Sequence, residues 1–340
     1  EDGIRDYKVT GVQTCALPIY LSRAFISSAT LFAAIDLELF TAIAEGDNTV
    51  PRFAKRAGLT EVNADRLMTM CAASDLIHWT ADHFENAADV QRFLVKGEKS
   101  YAGAWLTFTR PGWDSWGRLT EKLENQQPAT VIGSYEAMTV DAARRYHEAT
   151  SSVGFGSGRR FVKHVNLSHR TRMMDLGGGS GAYSIVAAQN NPGLRAVVLD
   201  LPPVVVVTRE FIERNGVAER VIAEPCDFTR DDFPTDCDVA VMASNLPQYN
   251  REIIGNVIRK AHDALLPGGE MHLIGEMLDD DRTGPMDAAL WGLYEVLSNS
   301  TGMTHTRADC VAYFEAAGFS SIEVTDFIPG ILVRVSGTRS

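Results

Sequence analysis

The chain has 340 residues, 45% hydrophobic and 22% charged, the proportions of an ordinary globular protein with room for two domains. Its formal net charge of -12 argues against a broad phosphate-binding surface, so no nucleic-acid partner is expected. No apolar run approaches the ~20 residues of a spanning helix and no secretory apolar segment opens the sequence, so no membrane partner is expected either. Cys15, Cys71, Cys226, Cys237 and Cys310 are scattered, odd in number and free of C-x-x-C spacing. They read as reduced thiols of a cytoplasmic protein, with no disulfide and no metal.

The first nineteen residues stand apart. Val9 to Ile19 resembles, codon for codon, the translation of a common short-read sequencing adapter, so residues 1–19 read as an assembly artefact outside the fold. From Tyr20 to Gly46 apolar residues recur at helical spacing, which predicts one helix closed by a glycine. TVPRFAKRAGLTEVNADRLMTMCAASDL then gives two short helices around Gly58, Leu59 and Thr60, a helix-turn-helix pattern. A DNA-reading second helix presents several cations to the groove. This one has Arg66 alone among apolar residues, so the pattern reads as a winged-helix packing or dimerisation module. Residues 100–165 add helices rich in aromatics, including Trp105, Phe108, Trp113, Trp116, Tyr135 and Tyr146.

Beyond residue 170, strand-like and helix-like segments alternate, which predicts a parallel sheet with crossover helices and a ligand at the carboxyl ends of its strands. The stretch MMDLGGGSGAYSIVAAQ, residues 173–189, reads as strand, glycine turn and helix. Its glycines bring backbone close to a ligand, and the helix after them points free N–H groups there. A phosphate, or the amino-acid and ribose end of a nucleoside, would suit that turn. GGGSG lacks the lysine and spacing of a Walker loop, while a loose G-x-G count leaves a dinucleotide oxidoreductase open. Asp200 ends the second strand, where a carboxylate can accept ribose hydroxyls, and Asp227 ends the third, with Phe228 able to flank an adenine ring.

In this order and at these intervals, DLGGGSG, VVLDLPPV, CDF and ALLPGGEMHLIGE resemble the S-adenosylmethionine-dependent methyltransferases related to plant caffeate O-methyltransferase. The resemblance covers nearly all the chain after the leader. It implies a Rossmann-like class I α/β catalytic domain over residues 111–340, including a helical linker, preceded by a mostly helical winged-helix dimerisation domain over residues 20–110. It also implies a homodimer, S-adenosylmethionine as cofactor and a small-molecule acceptor. By this match Asp175, Gly177, Gly179 and Gly181 surround the methionine part, Asp200 and Leu201 take the ribose, Asp227 and Phe228 the adenine, and Ser244 and Asn245 lie beside the sulfonium.

The chain departs from that family where the chemistry is done. Plant members carry a general-base histidine in a His-Asp-Trp triplet after the fourth strand. Here the stretch is SNLPQYNREI, with Pro247 at the histidine position and Gln248 and Tyr249 after it. Neither proline nor glutamine can act as a base. The acids that brace the family's histidine fall on Glu276, which is kept, and on Thr304, which is not an acid; His305 follows directly. The catalytic candidates are therefore Tyr146, His305 and Glu276.

A hydroxyl must lose its proton to accept a methyl group, whereas a thioether sulfur has a lone pair and no proton, so alignment and exclusion of water suffice. Its product is a sulfonium cation, which aromatic faces stabilise. The resemblance places Trp113, Trp116, Tyr146, Tyr249, Trp291 and Tyr294 on the acceptor side; a small acidic acceptor would in addition need a partner for its carboxylate, for which Arg144, Arg145, His147 and Arg307 are the candidates. Among bacterial members, the enzyme that methylates 4-methylthio-2-hydroxybutyrate in dimethylsulfoniopropionate synthesis is similar in length and in this baseless layout. The alternatives are an O- or C-methyltransferase for a phenol, enol or tetrapyrrole, and a non-methylating protein on the same scaffold.

Overall fold

The computed structural model describes residues 16–129 and 138–340, so Cys15, Tyr135 and residues 1–15 of the leader lie outside the described residues. The chain divides into two compact units, with the boundary between Thr107 and Phe108.

In the first unit, α1 (Ala16–Asp36), α2 (Leu39–Ala44), α3 (Val50–Ala57) and α4 (Glu61–Ala73) precede the antiparallel pair β1 (Ile77–Trp79) and β2 (Phe84–Asn86), then α5 (Ala88–Leu94) and α6 (Gly103–Leu106). The single helix predicted over residues 20–46 is corrected to two. The chain turns at Leu37 and Glu38, where Glu38 takes a left-handed φ of 55°, and Lys96 Nζ reaches its carboxylate at 2.5 Å. The helix-turn-helix pair forms as the spacing predicts. Gly58 takes φ 68° after α3, and the Thr60 hydroxyl accepts the Asn63 N–H at 3.3 Å to cap α4. Phe40, Phe53, Met68 and Ile77 are fully buried beneath these elements, and the β1–β2 hairpin supplies the wing.

Almost nothing covers the first half of α1: Leu17, Tyr20, Leu21 and Phe25 are 59%, 65%, 57% and 59% exposed. Leu17–Asp36 is long and apolar enough to cross a membrane by length and composition, which corrects the expectation of no such run. The helix extends back past Tyr20 into the leader, and that lengthens the run. A row of exposed apolar side chains on a helix marks a surface for a protein or a membrane, and the winged-helix dimerisation reading predicts that a second copy of the chain covers it. A chain lacking residues 1–19 is expected to scatter light as a dimer at micromolar concentration. A monomer under those conditions would contradict this assignment of the face.

The second unit begins with α7 (Trp113–Trp116), α8 (Leu119–Leu123) and the long α9 (Val140–His164). It continues with β3 (Arg172–Leu176), α10 (Ala182–Asn190), β4 (Arg195–Asp200), α11 (Pro202–Arg214), β5 (Val221–Pro225), β6 (Cys237–Ala243), α12 (Arg251–Ala264) and β7 (Leu265–Gly275). It closes with α13 (Met286–Tyr294), α14 (Arg307–Ala317), β8 (Phe319–Ile328) and β9 (Leu332–Arg339). The sheet order is β5-β4-β3-β6-β7-β9-β8. The first five strands are parallel, and β9 pairs antiparallel with both β7 and β8. Met173, Met174, Leu176, Val197, Val239 and Val241 are buried almost completely, as central strands covered by helices on both faces require.

The order fixes the ligand position. From β3 the chain winds outward to β4 and β5, then returns to place β6 and β7 on the other side of β3. The crevice therefore opens at the carboxyl ends of β3 and β6. Helix α9 roofs one side of it because its small residues permit close approach. A Cβ on Gly158 would lie 3.0 Å from the Ala182 carbonyl oxygen, and one on Gly154 would lie 3.3 Å from the Ala182 Cβ.

Candidate active site

Between β3 and α10 the loop is shaped by glycines at φ 63° (Gly177), 56° (Gly179) and 72° (Gly181), a region that L side chains rarely occupy. The space beside it is already filled. A Cβ on Gly177 would meet Phe228 Cε1 and Asn245 Nδ2 at 2.8 Å, and one on Gly178 would meet Asp175 Cγ at 2.6 Å. Asn245 Nδ2 donates to the carbonyl oxygens of Gly177 (3.2 Å) and Ala243 (3.0 Å), tying the loop to the end of β6. Ser244, at φ 59°, donates its N–H to the Ile274 carbonyl oxygen at 2.8 Å, which fixes β6 against β7.

Carboxyl groups surround this bare backbone. Asp175 is 1% exposed; its Oδ2 accepts the Ser184 hydroxyl at 2.8 Å, while its Oδ1 is buried without a partner among the described residues. Asp200 accepts the N–H groups of Gly179 at 2.8 Å and of Leu201 at 2.7 Å. Burial pushes both carboxyls up to about 6. Asp227, beyond β5, accepts the Thr229 N–H and hydroxyl and so stiffens its own turn, with Phe228 buried beside it. These acids decide between the ligands that the glycine turn leaves open. A phosphate would meet two uncompensated carboxylates, whereas an amino-acid nucleoside brings an ammonium and a sulfonium to them and ribose hydroxyls to Asp200. The loop, the orphaned Asp175 oxygen and the N-terminus of α10 thus fit S-adenosylmethionine.

Family models agree with that fit. An O-methyltransferase domain matches residues 116–320 and an O-methyltransferase dimerisation domain matches residues 19–96. The chain belongs to the O-methyltransferase family. It is 30% identical over 329 residues to 3-hydroxy-5-methyl-1-naphthoate 3-O-methyltransferase of Streptomyces sahachiroi, with 94% of each chain covered. It is 28% identical over 314 residues to the tetracenomycin polyketide synthesis 8-O-methyl transferase of Streptomyces glaucescens, covering 90% of this chain and 92% of that one. Human N-acetylserotonin methyltransferase, solved with S-adenosylmethionine, superposes with a TM-score of 0.83 at 21% identity over 98% of this chain and 99% of that one. The protein is an S-adenosylmethionine-dependent methyltransferase of small molecules.

For this methyltransferase, Asp200→Ala is expected to weaken S-adenosylmethionine binding at least tenfold, because charge-assisted hydrogen bonds contribute ~1.5–3 kcal/mol each. Titration calorimetry that returned an unchanged affinity would remove Asp200 from the ribose.

Across the crevice the expected acceptor-side aromatics separate into groups. Trp116, Tyr294, Trp291, Phe108, Tyr146 and His147 form a continuous chain of ring contacts. The successive centroid distances are 5.9, 5.6, 6.4, 5.2 and 4.9 Å. Phe108 was not among the expected acceptor-side residues; only its place in an aromatic-rich stretch marked it. Trp113 is 38% exposed on α7. Tyr249 is placed elsewhere than expected: it is 8% exposed and packs edge-on against Phe228 at 5.1 Å, in the core behind the donor loop.

The cations expected to take an acceptor carboxylate separate in the same way. Arg144 forms a two-pronged pair with Glu210 at 2.7 and 3.1 Å, and Arg307 reaches Asp326 at 2.9 Å. Both are corrected to structural ion pairs. Arg145 faces solvent on α9, while His147, two residues on, turns inward with 9% of its surface exposed.

No imidazole stands where plant members place theirs. Pro247 is buried in the short turn Leu246–Gln248, and its carbonyl oxygen would lie 2.5 Å from a Cβ on Gly302. His305 is completely buried: its Nε2 meets the Tyr249 carbonyl oxygen and its Nδ1 the Tyr313 hydroxyl, each at 2.9 Å. Burial lowers its pKa. The expected base is thus corrected to a packing residue, since both nitrogens are taken and the ring is closed to solvent. His305→Ala is expected to destabilise the fold by about 1–3 kcal/mol, the penalty of leaving buried partners unsatisfied. Unchanged denaturant unfolding would contradict that assignment. Thr304, at the second bracing position, presses on α13, where a Cβ on Gly292 would collide with its methyl group. Glu276, just beyond β7, has its carboxyl pushed up to about 7 by burial, with Asp287 adding to the rise.

Proposed function

We propose that this methyltransferase acts without a general base, passing the methyl group to the sulfur of a small thioether such as 4-methylthio-2-hydroxybutyrate and so serving dimethylsulfoniopropionate synthesis. The observation that carries the reading is the sealed His305 together with Pro247 at the histidine position, which leaves no imidazole base at that place in the crevice. The bound donor supplies an electrophilic methyl group on sulfonium. In this reading Gly177, Gly179, Gly181 and Asp175 hold its methionine part, Asp200 and Leu201 its ribose, and Asp227 and Phe228 its adenine. Ser244 and Asn245 set the sulfonium between β3 and β6. Tyr146, Trp291 and Tyr294, with Phe108 and Trp116 behind them, exclude water and face the acceptor sulfur as it becomes cationic.

Charge supports the same choice. Transfer from sulfonium to thioether keeps one cation in the crevice throughout, which suits a site of aromatic faces and uncompensated carboxyls. Transfer to a neutral hydroxyl ends without that cation and must discharge a proton.

Glu276 supports a second reading. A carboxyl near 7 is matched to proton abstraction at neutral pH, and the two relatives above are named as O-methyltransferases. In that reading Glu276 takes the proton of an aromatic hydroxyl. Incubation with methyl-labelled S-adenosylmethionine and a panel of thioethers and phenols, followed by mass spectrometry, separates the two. A permanently charged sulfonium supports the first; a neutral methyl ether as the sole product overturns it.

A further inference from the structure

His147 lies on the inward face of α9 with its ring pressed onto the donor loop. A Cβ on Gly179 would lie 2.6 Å from its Cε1 and 3.0 Å from its Nδ1. Tyr146 stands edge-on to it at 4.9 Å, so the imidazole joins the glycine loop to the aromatic chain. Among the described residues neither ring nitrogen has a hydrogen-bond partner, and neither is sealed from solvent as the orphaned core atoms are. Burial pushes the group down to about 4, so the free protein holds a neutral ring at physiological pH.

The charged groups packed around it are acids or closed pairs. Asp200 holds the Gly179 N–H from the β4 side, and Asp175 is the penultimate residue of β3, just before the loop. On α11, Glu210 is paired with Arg144, and Arg214 meets Glu148 of α9 at 3.3 Å. Tyr183, on α10, has its own ionisation pushed up by burial. The donor brings two cations and one carboxylate to this place. The acids suit the cations. The carboxylate needs hydrogen-bond donors, which the first-turn N–H groups of α10 and the unpartnered imidazole beside Gly179 can supply.

We propose that His147 binds the carboxylate of the donor's methionine portion as an imidazolium, drawing one proton from solvent as the donor binds. The step balances: a neutral imidazole and a solvent proton give the imidazolium, the carboxylate stays ionised, and no bond to carbon changes. A carboxylate beside the ring raises its pKa in the complex above the free value. Uptake therefore occurs at pH values between the two, and through this group affinity rises as pH falls, by at most about tenfold per pH unit. Asp175 and Asp200 act in the opposite sense, because an ammonium or ribose hydroxyls bound beside a raised carboxyl favour its ionised form and expel its proton. The inference rests on the family's donor and stands or falls independently of the acceptor.

The test is titration calorimetry of the full chain with S-adenosylhomocysteine at pH 6.5, in two buffers of different ionisation enthalpy, for the natural protein and for His147→Asn. The natural protein is expected to take up about half a proton more than the variant. Its affinity should exceed the variant's by about fourfold at pH 6 and by little at pH 8.5. The second ligand is 5′-methylthioadenosine, which keeps the nucleoside and lacks the amino-acid carboxylate; it should bind both proteins alike and show no difference in uptake. On the natural protein alone, uptake with S-adenosylhomocysteine should exceed uptake with its decarboxylated analogue, which keeps the ammonium and lacks only the carboxylate, a comparison that needs no folded variant. Equal uptake in both comparisons, or a difference that survives with 5′-methylthioadenosine, overturns the proposal. So does one that appears only when a carboxylate acceptor is added.

Discussion

Gly177→Val is expected to weaken donor binding by about a hundredfold or more while leaving the sheet intact. The residue takes φ 63°, and its missing side chain would lie 2.8 Å from Phe228 Cε1 and from Asn245 Nδ2. A β-branched residue in left-handed backbone is strained by about 1–3 kcal/mol before any clash is counted. Relieving the clash would push Asn245 off the Gly177 carbonyl oxygen that it holds at 3.2 Å. Each effect deforms the surface that takes the donor, and roughly 2.7 kcal/mol is already a hundredfold in affinity. Gly156→Ala is the control, because a Cβ there meets nothing within 4 Å and Gly156 lies inside α9. It should bind normally and be as stable as the natural protein or more so. Calorimetry that gave Gly177→Val the affinity of this control would contradict the loop as the donor site.

The second large effect is expected at Trp291, in the middle of the ring chain with Phe108 at 6.4 Å and Tyr294 at 5.6 Å. If the acceptor sulfur becomes cationic against these rings, Trp291→Leu should slow single-turnover methyl transfer by about a hundredfold, since it removes an aromatic face and loosens alignment together. Trp291→Phe, which keeps a π face, should lose about tenfold or less. Affinity for S-adenosylhomocysteine should change little in either. Equal losses for leucine and phenylalanine would assign Trp291 to packing alone.

The gathering of glycines and acids at the strand ends was legible in the sequence because its determinants are local. Gly177, Gly179, Asp200 and Asp227 each lie at or just beyond the end of a predicted strand, and parallel winding brings strand ends together without further information. The aromatic chain was legible only in part. Phe108, Tyr146 and Trp291 come from three distant segments, and nothing in spacing tells that Tyr249 packs behind the loop instead. His305 shows the same limit. Its partners, the Tyr249 carbonyl and the Tyr313 hydroxyl, are set by how α14 packs on α12, so a histidine next to the bracing position reads as a base until its neighbours are seen. The break at Glu38 carries neither glycine nor proline, the usual marks of a helix end. The inward turn of His147 and the outward turn of Arg145 follow from helical geometry once the buried face of α9 is fixed.

The central claim is methyl transfer without a base, and the pH dependence of the chemical step tests it most directly. With donor and a thioether acceptor both saturating, binding-linked protons drop out and the single-turnover rate reports transfer alone. We expect that rate to be flat from pH 6 to pH 9, with a sulfonium in the mass spectrum. A rate that falls on acidification with an apparent pKa near 7, is abolished in Glu276→Gln and yields a methyl ether would contradict the account and make Glu276 the base of an O-methyltransferase.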